Sequence, residues 1–321
     1  MRIIHCAPFN IVTKTGGCLY SNPVKISIGL VENGHFVHNF DYRDIARYFS
    51  VFKNKKNGTK KMIRHFLQII NDINPDLIIF GHAELITKET FEYIKKKKIP
   101  MIFWYNDLPF PKYFNEIKHY FSHILATAYT NDSYFLPNLV HKSIETNKSF
   151  LNKIWANDLL FSGRYDKERS KLISFIKNNI HCNYRFIGDT KKSVIIGNDY
   201  FQEITNSKIC LNHNRDFTLK YKWFTSDRLM HILGNGSFAL STPIINGEDF
   251  FENNLEYYSS LEELRYKIEY FLENSKKRLE KAKWLHARVH KLFNAKRIGE
   301  YIINLYKEDT KKLNAYEWWN D

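Results

Sequence analysis

The stretch SDRLMHILGNGSFALS, residues 226–241, carries the clearest fold signal in this chain. Its first eight residues place apolar side chains at helical spacing behind a Ser-Asp start, which is typical of a capped helix. The sequence Gly-Asn-Gly at 234–236 then ends the helix, and the apolar run 238–241 is typical of a buried strand. A helix that leads through a glycine turn into a buried strand predicts part of a parallel α/β sheet.

The same alternation continues in both directions along the chain, which predicts two α/β halves of similar size. In the first half, strand-like runs lie at 2–6, 36–40, 77–80, 101–105 and 124–127, and helical patterns at 23–32, 59–73 and 88–97. In the second half, strand-like runs lie at 158–162, 185–187, 209–211 and 238–241, and helical patterns at 167–178, 226–233 and 261–274. Strands alternating with helices of this length predict an α/β fold with two parallel sheets.

The predicted domains are 1–150, 151–300 and a helical tail at 301–321, with the halves joined near 136–154. Residues 275–306 read as one nearly unbroken helix. That helix is too long for a further crossover, so we expect it to pack across the boundary between the halves.

The composition supports two folded domains. The chain has 321 residues, of which 44% are hydrophobic, 16% aromatic and 26% charged. This length suits two domains of roughly 150 residues, and the apolar fraction excludes a disordered chain. No segment approaches the ~18 apolar residues of a membrane-spanning helix, and the opening residues read as a strand rather than a signal peptide. Four cysteines without a Cys-x-x-Cys pair indicate a reduced, cytoplasmic protein without structural zinc.

The chain is strongly basic. Lys and Arg number 48 and Asp and Glu 34, which gives a formal net charge of +14. Such a charge indicates anionic partners, which are nucleotide phosphates, nucleic acid or an acidic membrane surface. Lysine runs at 53–61 and 95–98 read as solvated surface, with contact to a membrane or another polyanion as the alternative.

Three strand-to-helix turns in the second half carry arginine, and together they predict a phosphate site. Helix starts offer free N–H groups, and guanidinium groups bind two phosphate oxygens at once. The alternative is that the helix start is simply capped while its arginine pairs with an acidic neighbour. The residues in these turns are Gly163 and Arg164, Asn212 and Arg215, and Ser226, Asp227 and Arg228.

Two strand ends in the first half carry candidate general bases. His82 and Glu84 follow the strand at 77–80, and Asp107 follows the strand at 101–105. An imidazole or a carboxylate can accept a hydroxyl proton, although residues at such junctions also cap the following helix. The pair Gly16–Gly17, after the first strand, predicts a loop whose backbone a ligand can approach closely.

The sequence also lacks the usual carboxylate pair of a metal-dependent sugar-nucleotide site. No Asp-x-Asp occurs, so we expect no bound metal and no other cofactor. A Ser-His-Asp hydrolase is poorly supported, because no Gly-x-Ser-x-Gly turn occurs.

The second half resembles the bacterial CgeB-like (spore-maturation type) glycosyltransferases, which are glycosyl transferases group 1-like enzymes with the GT-B fold of two facing Rossmann-like domains. The resemblance rests on residues 226–278, SDRLMHILGNGSFALSTPIINGEDFFENNLEYYSSLEELRYKIEYFLENSKKR. An Arg opens a helix, a Gly closes it, and a strand, a glycine-containing loop, a Tyr-Ser pair and an acidic helix follow in the family's order. Looser matches are FLPNLVHKSIE, NDLLFSGRYDKER and GHAELITKETFEYIKKKKIPMIFWYNDLP.

The resemblance implies that the second half binds a nucleotide sugar and the first half binds the acceptor, on the side of the Gly16–Gly17 loop. Arg228 and the helix start at Ser226 would lie near the diphosphate, with Arg164 across from them. His231 stands where many relatives carry a Glu that contacts the nucleotide ribose, so an altered ribose contact or a cytidine-monophosphate sugar stays open.

The resemblance further implies a metal-independent glycosyltransferase of bacterial cell-surface polysaccharide synthesis, in lipopolysaccharide or capsule. It would act in the cytoplasm, with peripheral contact to an anionic membrane, on a glycan or lipid-linked acceptor. The alternatives are a non-catalytic nucleic-acid- or polyanion-binding protein and a sugar-nucleotide epimerase. We expect no nucleic-acid partner, because aromatic residues such as Phe66 and Phe271 occupy apolar-periodic positions rather than alternating with basic ones.

Overall fold

The chain forms two β-sheets, and each sheet belongs to its own compact unit. The computed structural model describes residues 1–12, 15–51, 54–164, 166–188, 190 and 193–319, so Lys53 of the predicted lysine run and residues 320 and 321 of the predicted tail lie outside it. The first unit comprises Met1–Pro137 and Ala295–Asp321, and the second comprises Asn138–Asn294. The divisions therefore fall at 137/138 and 294/295, where the sequence predicts 150/151 and 300/301.

The sheet of the first unit is parallel throughout its described strands. These are β1 (Arg2–Cys6), β2 (Phe36–Phe40), β3 (Leu77–Gly81), β4 (Met101–Tyr105), β5 (His123–Ala126) and β6 (Tyr134–Phe135). Their order in the sheet is β2-β1-β3-β4-β5-β6. β3 and β4 are buried along their whole length, as expected where helices cover both faces of a parallel sheet. The parallel sheet predicted from the alternation is confirmed.

Helices of the first unit pack their apolar stripes on this sheet. They are α1 (Thr15–Cys18), α2 (Asn22–Glu32), α3 (Tyr42–Tyr48), α4 (Lys55–Ile73), α5 (Lys88–Lys96) and α6 (Phe114–Ile117). The helix predicted at 59–73 exists but begins one turn earlier, with Asn54 as its cap. Gly58 therefore lies inside α4. A side chain there would collide with the Ala46 carbonyl of α3, so glycine lets the two helices cross closely.

The second unit also consists of a parallel sheet with helices between its strands. Its strands are β7 (Asn157–Ser162), β8 (Tyr184–Ile187), β9 (Ser207–Asn212), β10 (Ala239–Ser241) and β11 (Glu256–Tyr257). They are parallel, in the order β11-β10-β9-β7-β8 within the described part of the chain. Its helices are α7 (Lys167–Asn179), α8 (Asn198–Thr205), α9 (Asp227–Gly234), α10 (Glu248–Phe251), α11 (Leu261–Glu273) and α12 (Ser275–Leu292).

The expected unbroken helix at 275–306 is wrong. The structure has α12, a break at Phe293–Asn294, and a separate helix α13 (Ala295–Tyr306), followed by α14 (Thr310–Leu313). Phe293 leaves the helical conformation with φ −113° and ψ 22°. α12 belongs to the second unit and α13 to the first, so the break lies where the chain passes from one unit to the other.

α13 packs tightly on α2 within the first unit. A Cβ on Gly299 would lie 2.6 Å from the Gly29 carbonyl carbon, and a Cβ on Gly29 would collide with the Ala295 carbonyl. Two glycines thus bring the helix backbones together, and the side chain of Asn33 donates to the Lys296 carbonyl at 2.7 Å. The C-terminal segment is therefore an integral part of the first unit.

Candidate active site

Each sheet reverses its strand order at one point, and the carboxyl ends of the strands there form the ligand-binding position of doubly wound folds. In the first unit this point lies between β1 and β3, and in the second between β7 and β9. The predicted site residues follow these strands or their neighbours.

In the second unit, Arg228 joins the ends of β7 and β9. Its Nη1 donates to the Ser162 carbonyl at 2.8 Å, and its Nη2 donates to the His213 carbonyl at 2.7 Å. Nε and Nη2 also donate to Oδ1 of Asn212, at 3.3 and 3.2 Å. The arginine that opens α9 is thus fixed across the reversal point by backbone and amide oxygens rather than by an acidic neighbour.

Asn212 and Ser226 complete this bridge. Asn212 is fully buried, and its Oδ1 also accepts a hydrogen bond from the Ser226 hydroxyl at 2.7 Å. The Ser226 oxygen accepts from the Leu229 amide at 3.2 Å and so caps α9, as the sequence predicts. Asp227 is the first residue of the helix. The structure therefore brings Asn212, Ser226 and Arg228 into one network.

The other two predicted arginines lie closer to solvent. Arg164 follows Gly163 after β7 and is exposed. Arg215 follows β9, and its Nε donates to Asp166 at 3.1 Å with 37% of the side chain exposed. Asp166 also caps α7, since it accepts from the Arg169 amide at 2.9 Å.

Sequence reasoning missed Arg169, which is a fourth arginine at this edge. Its Nη1 donates to the Arg164 carbonyl at 2.9 Å, and its guanidinium stacks over Phe161 at 5.9 Å. A Cβ on Gly163 would lie 3.0 Å from Nη1 of Arg228 and 3.2 Å from the guanidinium carbon of Arg169. Glycine at 163 thus leaves room for both guanidinium groups.

The four arginines create a positive edge. Burial, and then the charge of Arg169, lower the pKa of Arg228 to about 10. Burial, and then the charge of Arg215, lower the pKa of Arg169. Burial, Arg228 and Arg169 lower the pKa of His213 to about 4, so this imidazole is neutral at pH 7. Each lowered pKa means that the protonated, positively charged form of the side chain is disfavoured at this edge. A bound anion would stabilise that form.

Two buried donors at the same edge lack partners among the described residues. They are Nδ2 of Asn214, whose side chain is 3% exposed, and Nε of Arg169. A buried donor without an acceptor costs roughly 1–3 kcal/mol. Asn214 follows β9 directly, so a ligand with acceptor oxygens would find two unused N–H groups at this edge.

His231 lies apart from the exposed part of this edge. It is 5% exposed on α9, and its ring meets those of Tyr200 and Phe201 with centroid distances of 5.7 Å. Its Nδ1 is 3.4 Å from the Tyr200 hydroxyl. These aromatic neighbours leave little of the imidazole surface for a ligand.

In the first unit, Glu84 is held by two cations and a phenol. It accepts from Arg43 Nε at 2.6 Å, from Lys55 Nζ at 3.0 Å and from the Tyr42 hydroxyl. Burial opposes ionisation, but the hydrogen bonds and charges of these partners lower the pKa of Glu84 to about 2. A carboxylate with so low a pKa is a weak proton acceptor, so Glu84 is better suited to fixing α3 and α4 beside the sheet.

His82 and Asp107 remain as base candidates. His82 Nε2 lies 2.7 Å from Oδ1 of Asn106, which leaves Nδ1 as the acceptor nitrogen with the Asn106 amide oriented as in the structure. Burial lowers the pKa of His82, and the charge of Asp107 raises it. Asp107 itself is exposed. The following helices α5 and α6 are preceded by Thr87 and Tyr113, so none of the three candidates caps them.

The backbone at His82 is unusual. His82 and Ala83 have φ values of 64° and 62°, in the left-handed region that side chains other than glycine seldom adopt. Such residues cost of order 1–3 kcal/mol each and are concentrated at functional sites. They follow β3 at the reversal point of the first sheet, which supports a functional role for His82.

The predicted glycine loop has a different local structure. Gly16 and Gly17 lie inside the short helix α1 rather than in an open loop. The prediction of a loop at these two glycines is therefore wrong, whereas the close approach of a ligand to them stays a prediction. Both glycines still follow β1, whose carboxyl end flanks the reversal point.

No group of three or more His, Cys, Asp or Glu side chains is arranged to hold a metal ion among the described residues. The absence of a cofactor stays a prediction, based on the lack of Asp-x-Asp. In the same described residues, no helix combines the length and apolarity needed to cross a bilayer.

Comparison with known proteins assigns the arginine-rich unit to an enzyme class. Residues 164–304 match the family model described as "Glycosyl transferase-like". This match supports a glycosyltransferase. The match begins at Arg164 and includes Arg169, Arg215 and Arg228, so it covers the positive edge. It supports the broader group 1-like resemblance, whereas the CgeB-like subtype stays a prediction.

Solved structures show that the chain has the GT-B fold. An alpha-glucosyltransferase in complex with UDP-glucose and DNA containing an abasic site is 10% identical, with 96% of this chain and 99% of that chain covered and a TM-score of 0.62. Anabaena HepE in complex with UDP is 11% identical, with 96% and 100% covered and a TM-score of 0.61. Sucrose-phosphate synthase from Thermosynechococcus elongatus is 10% identical, with 97% and 100% covered and a TM-score of 0.59. No curated protein sequence matches the chain.

Proposed function

We propose that the second unit binds a nucleoside-diphosphate sugar, with the phosphates at the carboxyl ends of β7 and β9. The observation that carries this proposal is the meeting of four arginines at this edge, where Arg228 donates to two backbone carbonyl groups and to Asn212 rather than to a carboxylate. Negative charge beside these guanidinium groups is what a ligand would add. A diphosphate supplies that charge and also acceptor oxygens for Asn214. The UDP and UDP-glucose bound by similarly folded proteins agree with a donor of this class.

The arginines divide into two roles under this proposal. Arg164 and Arg215 are the more exposed pair, so they would contact the phosphate oxygens directly. Arg169 and Arg228 are fixed to carbonyl groups behind them and would add positive potential with no need to reorganise. This arrangement offsets the charge of the leaving phosphate without a metal ion, so we propose metal-independent transfer.

The first unit would act on the acceptor through His82. In the transfer, the bond between the sugar anomeric carbon and the phosphate oxygen breaks, and its electron pair leaves with the nucleoside diphosphate. The acceptor oxygen forms the new bond to that carbon, and its proton passes to Nδ1 of His82. His82 is favoured over Glu84, whose pKa is too low, and over Asp107, which adds negative charge beside the imidazole.

The stereochemical outcome tests this role. Inversion at the anomeric carbon requires a base for the attacking hydroxyl. Retention would instead make His82 a hydrogen-bonding residue at the transferred sugar. Proton NMR of the freshly formed product distinguishes the two.

The resemblance described above supports a glycan or lipid-linked acceptor, and a role in cell-surface polysaccharide synthesis on the cytoplasmic side of a membrane. The net charge of +14 is compatible with peripheral binding to anionic lipid. DNA is a rival acceptor, because one similarly folded glucosyltransferase is bound to DNA. Acceptor-dependent release of UDP separates these transfers from epimerisation, which needs no acceptor.

The donor proposal is tested by calorimetric titration with UDP. We expect Arg164→Ala and Arg215→Ala each to weaken UDP binding about 10-fold or more, since hydrogen bonds to charged groups contribute roughly 1.5–3 kcal/mol. Arg228→Ala should also weaken it, because it removes positive potential behind the phosphates and the bridge between the ends of β7 and β9. Arg265→Ala is the matched control, because Arg265 is an exposed arginine of the same unit that pairs only with Glu262 in the described structure. Unchanged UDP affinity in both Arg164→Ala and Arg215→Ala would reject the site. Tighter binding of CMP than of UDP would reject the diphosphate.

A further inference from the structure

The first unit contains a cavity that the transfer reaction does not use. It has a volume of about 550 Å³ and lies at the outer edge of the sheet, between β5, β6 and the C-terminal segment. This volume falls within the range of roughly 300–1,000 Å³ typical of small-molecule sites. Its walls come from the start of β5, the loop 129–133, and the aromatic residues 301, 318 and 319.

Aromatic rings form one wall of the cavity. Tyr134 is 41% exposed and stacks on Trp319, with ring centroids 5.7 Å apart and planes at 13°. Tyr129 is 36% exposed, and Trp318 and Tyr301 form the buried floor. Half-exposed rings beside a cavity offer flat apolar surface that is already ordered, so a ligand that covers them gains burial at little cost in side-chain entropy.

Hydroxyl, amide and carboxylate groups form the opposite wall. The amide of Ser133 donates to the Thr130 carbonyl at 3.2 Å, which closes a tight turn, and the two hydroxyl groups lie 2.7 Å apart. Asn131 and Asp132 occupy the centre of this turn, and both are exposed. The turn therefore presents donors and acceptors on a fixed backbone next to the rings.

The charge of the cavity identifies its ligand class. Neither lysine nor arginine occurs among its described lining residues, and Asp132 contributes a negative charge. A nucleotide or nucleic-acid strand needs cations that are available beside the stacking rings. The guanidinium of Arg297 lies over Trp318 at 5.3 Å, but it is outside the lining and is paired with Glu317 at 2.8 Å. A saccharide needs no cation, because it presents an apolar ring face to aromatic groups and hydroxyl groups to amides and carboxylates. We infer that this cavity is a saccharide-binding site.

The cavity is distinct from the proposed reaction edge of the same unit. His123 at the start of β5 is paired with Ile102 near the start of β4, whereas Asn106 and Asp107 follow the end of β4. At ~3.3 Å per strand residue, Ile102 and Asn106 are roughly 13 Å apart along the strand. The site thus holds a saccharide unit away from the reacting hydroxyl, and its occupancy does not depend on a donor in the second unit.

The test is saturation-transfer NMR with neutral oligosaccharides, using maltohexaose, cellohexaose and chitohexaose as probes, with and without saturating UDP. We expect at least one probe to bind the full-length protein equally well in both conditions. Trp319→Ala should weaken that binding at least 10-fold, and the double change Asn131→Ala and Asp132→Ala should also weaken it, since this exposed turn can change without loss of fold. Trp319→Phe should retain most of the affinity.

Tyr48→Ala is the control, because Tyr48 is an 83% exposed aromatic residue of the same unit outside the cavity lining. The inference is overturned if no probe binds, if Trp319→Ala and the turn variant bind like the wild type, or if an oligothymidylate binds and is lost in Trp319→Ala. Loss of UDP binding in the arginine variants leaves these results unaffected, so the two proposals fail separately.

Discussion

The carboxyl edges of the two sheets have the same strand order but opposite electrostatic character. At the edge of the first unit, the carboxylate of Glu84 is offset by Arg43 and Lys55, and burial lowers the pKa of the half-buried His82. At the edge of the second unit, only Arg169 and Arg215 of the four arginines pair with a carboxylate, which is Asp166 in both cases. Arg228 donates to backbone carbonyl groups and to Asn212 instead. The two sheets are similar, and the different ion pairs at their carboxyl edges agree with the proposed roles, which are proton transfer in the first unit and anion binding in the second.

The largest expected effect that tests this contrast is a loss of kcat when His82 of the first unit is replaced. We expect His82→Gln to lower kcat about 100–10,000-fold, because it removes the proton acceptor while keeping a hydrogen bond to Asn106 possible. The dissociation constant for UDP should stay within about 2-fold of the wild type. A loss of UDP affinity with unchanged kcat would reverse the assignment of the two edges.

A second expected effect is on the stability of the first unit. Glu84→Gln should lower the free energy of unfolding by up to about 3 kcal/mol at pH 7, since a pKa lowered from 4.5 to about 2 corresponds to that amount. The contribution is present above pH 4.5 and is lost as the pH falls through 2, so the wild type and the variant should converge at acid pH. Urea unfolding at pH 7 and pH 3 measures this.

Glu116→Gln provides the comparison for that measurement, because Glu116 forms a fully exposed, solvent-screened pair with Lys88 and should contribute little to the free energy of unfolding. The folded fraction of Glu84→Gln should retain its kcat. A large drop in kcat there would restore Glu84 as the base and remove the proposed division of roles.

The smallest expected effect concerns Asp107. Its charge raises the pKa of His82, so Asp107→Asn should lower that pKa further and shift the acidic limb of the kcat profile to lower pH. At pH 8 the change in kcat should be only a few-fold, since His82 is neutral in both proteins. A loss of kcat at all pH values, as large as that of His82→Gln, would instead make Asp107 the base.

The sequence predicts the strands and the arginine-bearing turns well, because both depend on local patterns. Strands such as β3 and β4 are continuous apolar runs, and Ser226 has the helix-capping position that its residue type favours. Arg169 was missed because it lies within a charged helix segment, KERSK, that is typical of a solvated face. Only the packing of α7 against the end of β7 brings its guanidinium over Phe161.

The remaining features were not predicted because they depend on contacts between residues that are far apart in the sequence, or on segments too short to show a pattern. Nothing near Glu84 in the chain shows that Arg43 and Lys55, which are 41 and 29 residues away, close on its carboxylate. The helix break at Phe293 has no proline or glycine to mark it, because it arises where the chain leaves one unit for the other. The short strands β6 and β11, of two residues each, carry too little sequence to form a pattern.

The glycine contact between α2 and α13 has a consequence for biosynthesis. The second unit is a continuous segment, whereas the first needs its last 27 residues, Ala295–Asp321, to cover α2. During translation, residues 1–137 therefore cannot complete their packing until residues 295–321 have been synthesised. Residues 138–294 form a continuous unit, which can fold as soon as it leaves the ribosome. A stop codon shortly after residue 294 would leave a complete second unit attached to an incomplete first unit.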